Sequence, residues 1–98
     1  MTQYCVYRIT GNRLVLDVQS DLIDSGTRLV APLVRPTSGP KLLPRLEPVF
    51  MIGDTEYAMR TAELAAIPTA LLIAPPITDL RAHDYEIKGA LDMVFSGF

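Results

Sequence analysis

Short segments in which hydrophobic and polar residues alternate occupy the first part of the chain and predict β-strands. Residues 4–9 alternate in this way and are rich in β-branched and aromatic side chains, and residues 14–18 resume the pattern. Gly11 and Asn12 lie between the two segments, and both residue types adopt the positive φ values that a tight turn requires. The pattern therefore predicts a β-hairpin at the start of the chain.

Three further strands and a proline-rich connection follow. Residues 27–33 predict a third strand, which two prolines limit at its far end. Prolines then recur every fourth residue from Pro36 to Pro48, and each lacks a backbone donor, so this stretch predicts an irregular loop packed on the sheet. Residues 48–52 and 55–59 flank a Gly-Asp pair and predict a second hairpin.

Two segments have a less regular pattern. Residues 21–26 form a polar interruption that carries Leu22 and Ile23, which either pack into the core or form an exposed contact surface. Residues 61–67 predict a helical turn that a proline ends, and residues 69–73 predict a short apolar strand.

The period changes to that of an amphipathic helix at residues 79–95, with Thr78 or Asp79 as the N-cap. Phe95 is expected to pack against the core more closely than Phe98, since a last residue is seldom held in a core. Gly97 is expected to end the helix, because glycine is favoured just past a helix C-terminus. One apolar stripe is formed by Ile87, Leu91, Val94 and Phe98.

The composition fits one small domain spanning residues 1–98, mainly β with one C-terminal helix. Of 98 residues, 49% are hydrophobic and 20% are charged, so the chain has enough apolar surface to form one modest core. The net charge is −2 and no basic tract is present, which makes a direct nucleic-acid site unexpected. Protein or small-molecule partners are favoured.

Membrane insertion and secretion are not expected. The longest apolar run, residues 65–77, contains three prolines and is shorter than the roughly 20 residues that cross a bilayer. The first residues lack the pattern of a secretory signal, so we expect a cytoplasmic protein without a membrane partner. Cys5 is the single cysteine and is expected to be a small buried hydrophobic residue.

The residues that usually carry catalysis or bind cofactors are scarce. His83 is the single histidine, which together with a single cysteine makes a zinc site improbable on composition. Gly-x-Ser-x-Gly and glycine-rich phosphate motifs are absent, and the acidic positions at residues 17–24 lack the glycine of a calcium loop. The sequence therefore predicts a binding protein without a cofactor rather than an enzyme.

Blocks along nearly the whole chain resemble the CcdB toxins of bacterial toxin–antitoxin pairs. They are VY at 6–7, LDVQSDLID at 16–24, RLVAPL at 28–33, EPVFMIGD at 47–54, IP at 67–68 and IKGALDMVFSGF at 87–98. The resemblance implies an SH3-like β-barrel with a small extra sheet, a long C-terminal helix and a homodimer. It also implies a toxin, of a type associated with plasmid maintenance, that binds the A subunit of DNA gyrase and traps the gyrase–DNA cleavage complex. A cognate antitoxin would neutralise it.

The resemblance also implies a set of target-binding residues. In the family, gyrase contacts cluster at the end of the C-terminal helix and in the loop after the second strand. The matching positions here are Leu22, Ile23, Asp92, Ser96, Gly97 and Phe98. Two of them depart from the family pattern, since Ser96 replaces a tryptophan and Asp92 replaces an asparagine.

These departures leave two alternatives to gyrase inhibition. The first is a dimer of the same fold that binds an antitoxin but has a changed or lost target. The second, a more remote one, is an endoribonuclease, because a related toxin barrel cuts RNA with arginine and acidic groups. Arg13, Asp17 and Arg28 are the residues available here for that chemistry.

Overall fold

The computed structural model describes residues 2–36 and 43–97, and in these ranges seven strands form one antiparallel sheet. The strand order is β4-β5-β3-β2-β1-β7, and β6 also pairs with β3. The strands are β1 (Cys5–Ile9), β2 (Arg13–Asp17), β3 (Thr27–Val34), β4 (Val49–Ile52), β5 (Thr55–Met59), β6 (Ala65–Pro68) and β7 (Thr78–Asp79). The helix α1 (Asp84–Ser96) follows, and three short 3₁₀ helices lie at Thr61–Glu63, Thr69–Leu72 and Arg81–His83.

The long strand β3 gives the sheet its shape. It pairs with β2 along one edge. Along its other edge it pairs first with β6, through residues 27–30, and then with β5, through Leu33 and Val34. Because one strand holds two neighbours on the same edge, the sheet curves into a nearly closed barrel, and the predicted SH3-like barrel with one C-terminal helix is confirmed.

Both predicted hairpins are present, and their turns have the expected backbone geometry. Gly11 and Asn12 have φ values of 82° and 60° between β1 and β2. Gly53 has a φ of 63° between β4 and β5. These conformations are the ones that glycine and asparagine tolerate best, so local turn chemistry sets the register of both hairpins.

Both faces of the sheet are covered. Val6, Leu16 and Met59 belong to a larger core cluster that also contains Ile87 of α1. Cys5 belongs to a smaller cluster, whose strand side chains point to the other face of the sheet. Successive strand residues point to opposite faces, so the alternation along β1 and β2 supplies both clusters. Cys5 is buried, as the sequence predicts.

The predicted helical turn at residues 61–67 is confirmed only at its start, where Thr61–Glu63 forms a 3₁₀ helix. Its second half is wrong, because residues 65–68 form a strand, and the strand predicted at residues 69–73 is wrong, because Thr69–Leu72 forms a 3₁₀ helix. The strand forms because residues 65–68 pair with the free edge of β3, a long-range contact that outweighs local propensity. Pro32 also lies inside β3 rather than ending it, and its carbonyl accepts from the Arg60 N–H at 2.8 Å.

The C-terminal helix begins at Asp84, five residues later than predicted. Thr78 and Asp79 pair with β1, and Leu80 is buried, so these residues join the sheet before the helix starts. Gly97 ends α1 as predicted, with a φ of 79° and its N–H donating to the Met93 carbonyl. No helix in the described ranges is long and apolar enough to cross a membrane.

Tyr4 connects the start of the chain to the start of α1. Its hydroxyl donates to the carboxylate of Asp84, and the bond lowers the pKa of Asp84. Burial, aided by this bond, raises the pKa of Tyr4 to about 12. Asp84 therefore stabilises the fold above the ordinary pKa of a carboxyl group, and this contribution is lost as the pH falls through its lowered pKa. The raised pKa of Tyr4 also stabilises the fold. This stabilisation is complete below pH 10.0 and is lost as the pH rises through about 12.

The variant Tyr4→Phe is expected to unfold at lower urea at neutral pH and to lose less stability than the wild type when the pH falls below about 4. Its stability should also be flatter between pH 10 and about 12. Urea midpoints at neutral, acidic and alkaline pH measure both effects. Tyr85→Phe is the matched control, because Tyr85 directly follows Asp84 but is exposed. An unchanged acid dependence in Tyr4→Phe would contradict the assignment.

Candidate target-binding surface

A buried ion pair lies at the base of the loop between β2 and β3. Arg28 donates from Nε to Asp17 Oδ2 at 2.8 Å and from Nη2 to Asp17 Oδ1 at 3.0 Å. Arg28 is 5% exposed and Asp17 is 0% exposed. Burial raises the pKa of Asp17, against the opposing effect of the bonds from Arg28. The bidentate geometry fixes the position of the guanidinium group.

The same guanidinium group also holds the loop backbone. Arg28 Nη2 donates to the Gln19 carbonyl at 3.0 Å and to Asp21 Oδ1 at 3.0 Å. Asp21 Oδ1 in turn accepts from the Gln3 backbone N–H at 2.9 Å. We call Asp17, Gln19, Asp21 and Arg28 the Arg28 network, and it links the first residues of the chain, β2, the loop and β3.

The Gln19 side chain spans the open end of the loop. Its Nε2 donates to the Ile23 carbonyl at 3.0 Å and to the Thr27 carbonyl at 3.3 Å. Its Oε1 accepts from the Leu29 N–H at 3.0 Å. One side chain therefore bonds both ends of residues 23–27, which limits the conformations open to the loop.

Leu22 and Ile23 lie at the tip of this loop and are 95% and 55% exposed. Of the two alternatives left open by the sequence, packing into the core is therefore wrong, and the pair is exposed. Asp21, the residue before this pair, is bonded to Arg28, whereas the apolar pair lies outside the Arg28 network. Single exposed apolar residues are common, but an adjacent pair on a loop held by buried polar bonds is typical of a recognition loop.

The helix α1 has one buried face and one open face. Ile87 and Ala90 are buried, and Leu91 and Val94 are half-buried, so the described part of the predicted apolar stripe is confirmed. Phe95 is 69% exposed and is not part of the core, and the expected comparison with Phe98 involves a residue outside the described ranges. The buried residues of α1, Ile87 and Ala90, lie in its first half.

The predicted contact residues of the helix lie on its open face. Asp92 and Ser96 are four residues apart, which places them one above the other on this face, and both are exposed. Gly97 follows as the exposed helix end. Phe98 lies outside the described residues.

Asp92 also lines a groove of about 530 Å³ between α1 and residues 44–48. Gly89 forms part of its wall, and a Cβ atom there would lie 3.4 Å from Arg45 Nε. Arg45 therefore lies in van der Waals range of the helix at Gly89. Sequence reasoning missed this groove, although a glycine within an amphipathic helix was a usable signal of close approach.

The structure brings some of the predicted residues together and leaves others apart. Asp92, Ser96 and Gly97 share the end of α1. Leu22 and Ile23 belong to a separate loop, whose described bonds run to β2, β3 and Gln3 rather than to the helix.

The residues proposed for RNA cleavage do not form a site among the described residues. Arg28 and Asp17 are bonded to one another in the interior. Arg13 is exposed at the far end of β2, four residues and about 13 Å along the strand from Asp17.

A sequence model of the CcdB protein family matches residues 3–97. The match covers every strand of the sheet, the loop that carries Leu22 and Ile23, and the whole of α1.

Proposed function

The chain belongs to the CcdB family, a family of gyrase-inhibiting toxins of toxin–antitoxin pairs, and we propose that it binds the A subunit of DNA gyrase and traps the gyrase–DNA cleavage complex. The observation that carries the proposal is the Leu22–Ile23 pair, exposed on a loop that the Arg28 network holds in place. A cognate antitoxin neutralises the toxin in this proposal. The protein works as a homodimer of one-domain chains.

Inhibition in this proposal needs no catalytic residue. A protein that binds the cleaved gyrase–DNA complex more tightly than the resealed one shifts the equilibrium toward the cleaved state. Leu22, Ile23, Asp92, Ser96, Gly97 and Phe98 supply the contacts, and the dimer doubles them. The two copies of Asp92 lie near the two-fold axis and repel one another unless a cationic group of the target lies between them.

A changed target is the second candidate, and the last turn of α1 favours it. The chain contains no tryptophan, and Ser96 occupies the position where the family has one. An aromatic side chain at the centre of an interface contributes about 2–4 kcal/mol to binding. Phe95, exposed beside Ser96, offers an aromatic ring at a different angle. In this candidate the protein still forms a dimer and still binds an antitoxin, but its target is a protein other than gyrase.

Growth on induction and gyrase assays in vitro separate the two candidates. Wild-type protein is expected to arrest growth and to accumulate cleaved DNA with purified gyrase. Leu22→Asp is expected to abolish both effects while its stability stays within about 0.5 kcal/mol of the wild type, because the side chain makes few contacts. Met51→Asp is the matched control, an exposed apolar residue of β4 outside the proposed surface, and should remain active.

Full gyrase activity at micromolar protein would contradict gyrase inhibition. Growth arrest without gyrase inhibition would support the changed target, as would normal growth together with tight binding of the protein encoded by the adjacent upstream gene. Equal loss of activity in Leu22→Asp and Met51→Asp would contradict the assignment of the loop as the contact.

A further inference from the structure

The strand β4 has one open edge. Among residues 2–36 and 43–97, β4 pairs with β5 alone, which leaves its other edge without a neighbouring strand. Natural edge strands are commonly protected from further pairing by charged side chains. The residues of β4 carry no charge, and two of them, Val49 and Met51, are 37% and 56% exposed. We call the outward backbone groups and side chains of these two residues the β4 edge.

The register of the second hairpin shows which backbone groups of β4 point outward. The Met59 N–H donates to the Pro48 carbonyl at 2.9 Å, so these two residues form a hydrogen-bonded pair. Hydrogen-bonded and non-hydrogen-bonded pairs alternate along an antiparallel ladder. Val49 and Met51 therefore belong to non-hydrogen-bonded pairs, and their N–H and C=O groups point away from β5. The β4 edge thus presents two outward donors and two outward acceptors.

We propose that the β4 edge pairs with the β4 edge of a second copy of this chain, which joins the two sheets in an antiparallel arrangement. With Phe50 of the two copies opposite one another, Val49 lies opposite Met51 of the second copy, and this pair exchanges two N–H···O=C bonds. A two-fold axis repeats the pair, so all four outward groups of each copy are bonded. The β4 edge is therefore complementary to itself.

The side chains on the outer face favour a second copy as the partner. Each facing pair joins Val49 to Met51, which are both apolar and exposed, so pairing removes apolar surface from water. Glu56 is exposed and lies opposite Met51 in β5. Neighbouring strands are about 4.8 Å apart, so the two copies of Glu56 are separated by at least about 14 Å, beyond the Debye length of about 8 Å in physiological salt. These carboxylates therefore do not oppose the pairing.

The contact is small, so the pairing is weak. It uses two outward residues of each copy, whereas a stable interface uses about 20–30 residues a side. We therefore expect a dissociation constant of about 0.1–1 mM. At micromolar concentration the edges are unpaired, so Met51→Asp is expected to keep its activity toward gyrase. The pairing does not depend on the proposed function, but in a homodimer each protomer carries one β4 edge, and edge pairing then links dimers into larger assemblies.

Sedimentation velocity of the full chain between about 5 µM and 1 mM measures the association. The mass of the wild type is expected to rise above about 0.1 mM, whereas that of Met51→Lys should keep its low-concentration value, because a charge then lies in the apolar contact. Ile73→Lys is the matched control and should associate as the wild type does, since Ile73 is 85% exposed and lies outside β4. A monomer at low concentration would contradict the homodimer of the proposed function, while the rise in mass would still decide the pairing.

Two substitutions of Val49 separate backbone pairing from apolar contact. Val49 is the first residue of β4, a position at which an edge strand tolerates proline. Val49→Pro removes an outward donor and keeps the bonds to β5, so it should abolish the association. Val49→Thr keeps the N–H group and the β-branched shape, and its dissociation constant should stay within about threefold of the wild type. Urea unfolding checks that each variant is folded.

An NMR dilution series of the isotope-labelled wild type locates the contact. The amide signals of Val49 and Met51 are expected to change most with concentration, because their N–H groups gain partners. A wild-type mass that stays constant up to about 1 mM would overturn the inference. Equal loss of association in Met51→Lys and Ile73→Lys, undiminished association in Val49→Pro, or signal changes that are largest outside β4 would each overturn it as well.

Discussion

Replacing Arg28 with methionine is expected to lower the free energy of unfolding by about 3–5 kcal/mol, the usual cost of removing one partner of a buried ion pair. The change leaves the fully buried carboxylate of Asp17 without its bidentate partner. Asp17 can avoid part of this cost by taking up a proton. The loss of stability relative to the wild type should therefore grow as the pH rises through the raised pKa of Asp17. Urea unfolding over a range of pH values measures the effect.

Two variants make this test specific. Arg60→Met removes an arginine whose ion pairs with Glu47 and Glu63 are partly exposed, and should cost only about 0–1 kcal/mol. Arg28→Met/Asp17→Leu removes both buried charges and should recover part of the stability lost in Arg28→Met. A loss below about 1 kcal/mol in Arg28→Met, or no recovery in the double variant, would contradict a structural role for the pair.

The loop should respond to the same change. The Arg28 guanidinium group bonds both Gln19 and Asp21, so its loss frees the backbone that carries Leu22 and Ile23. Binding to gyrase should therefore weaken even at temperatures at which Arg28→Met remains folded, because the freed loop must be ordered again on binding.

Ser96→Trp is expected to tighten binding to the gyrase A subunit by about 30- to 1,000-fold, which corresponds to about 2–4 kcal/mol. Position 96 is exposed at the end of α1 and occupies the place of the family tryptophan. A large aromatic side chain there adds apolar contact area, and its ring can stack on a guanidinium group of the target. Titration of the purified A subunit with wild type and variant measures the ratio.

Thr10→Trp is the matched control, since Thr10 is a small exposed hydroxyl residue at the tip of the first hairpin. This control should leave the affinity unchanged. If Ser96→Trp binds gyrase no more tightly than the wild type, position 96 is not at the centre of a gyrase interface, and the changed target becomes the better explanation.

Local signals predicted those parts of the fold that local chemistry determines. Gly11, Asn12 and Gly53 fix the two hairpin turns by their backbone conformations, and Gly97 ends the helix in the same way. Strand alternation likewise predicted β1 and β2 themselves, and the burial of Cys5. Each of these features depends on residues within one turn or one strand, so a single sequence contains the information.

The strands β6 and β7 were not predicted because distant pairings decide their structure. The strand β6 exists through its contact with β3, and β7 exists through its contact with β1. The Arg28 network has the same origin, since Asp17 and Arg28 meet across two neighbouring strands. For Leu22 and Ile23, composition could not distinguish a core position from the tip of a loop.

The pairing of β1 with β7 also has a consequence for synthesis on the ribosome. Cys5 pairs with Asp79, so one edge of β1 stays open until the last quarter of the chain has been translated. At about 5–20 residues per second, roughly 4–15 s separate the synthesis of these two residues. The helix that carries Asp92 and Ser96 emerges later still. The nascent chain therefore cannot display this surface before β7 and α1 have been synthesised, and a partner already present in the cell can meet the protein as soon as these elements fold.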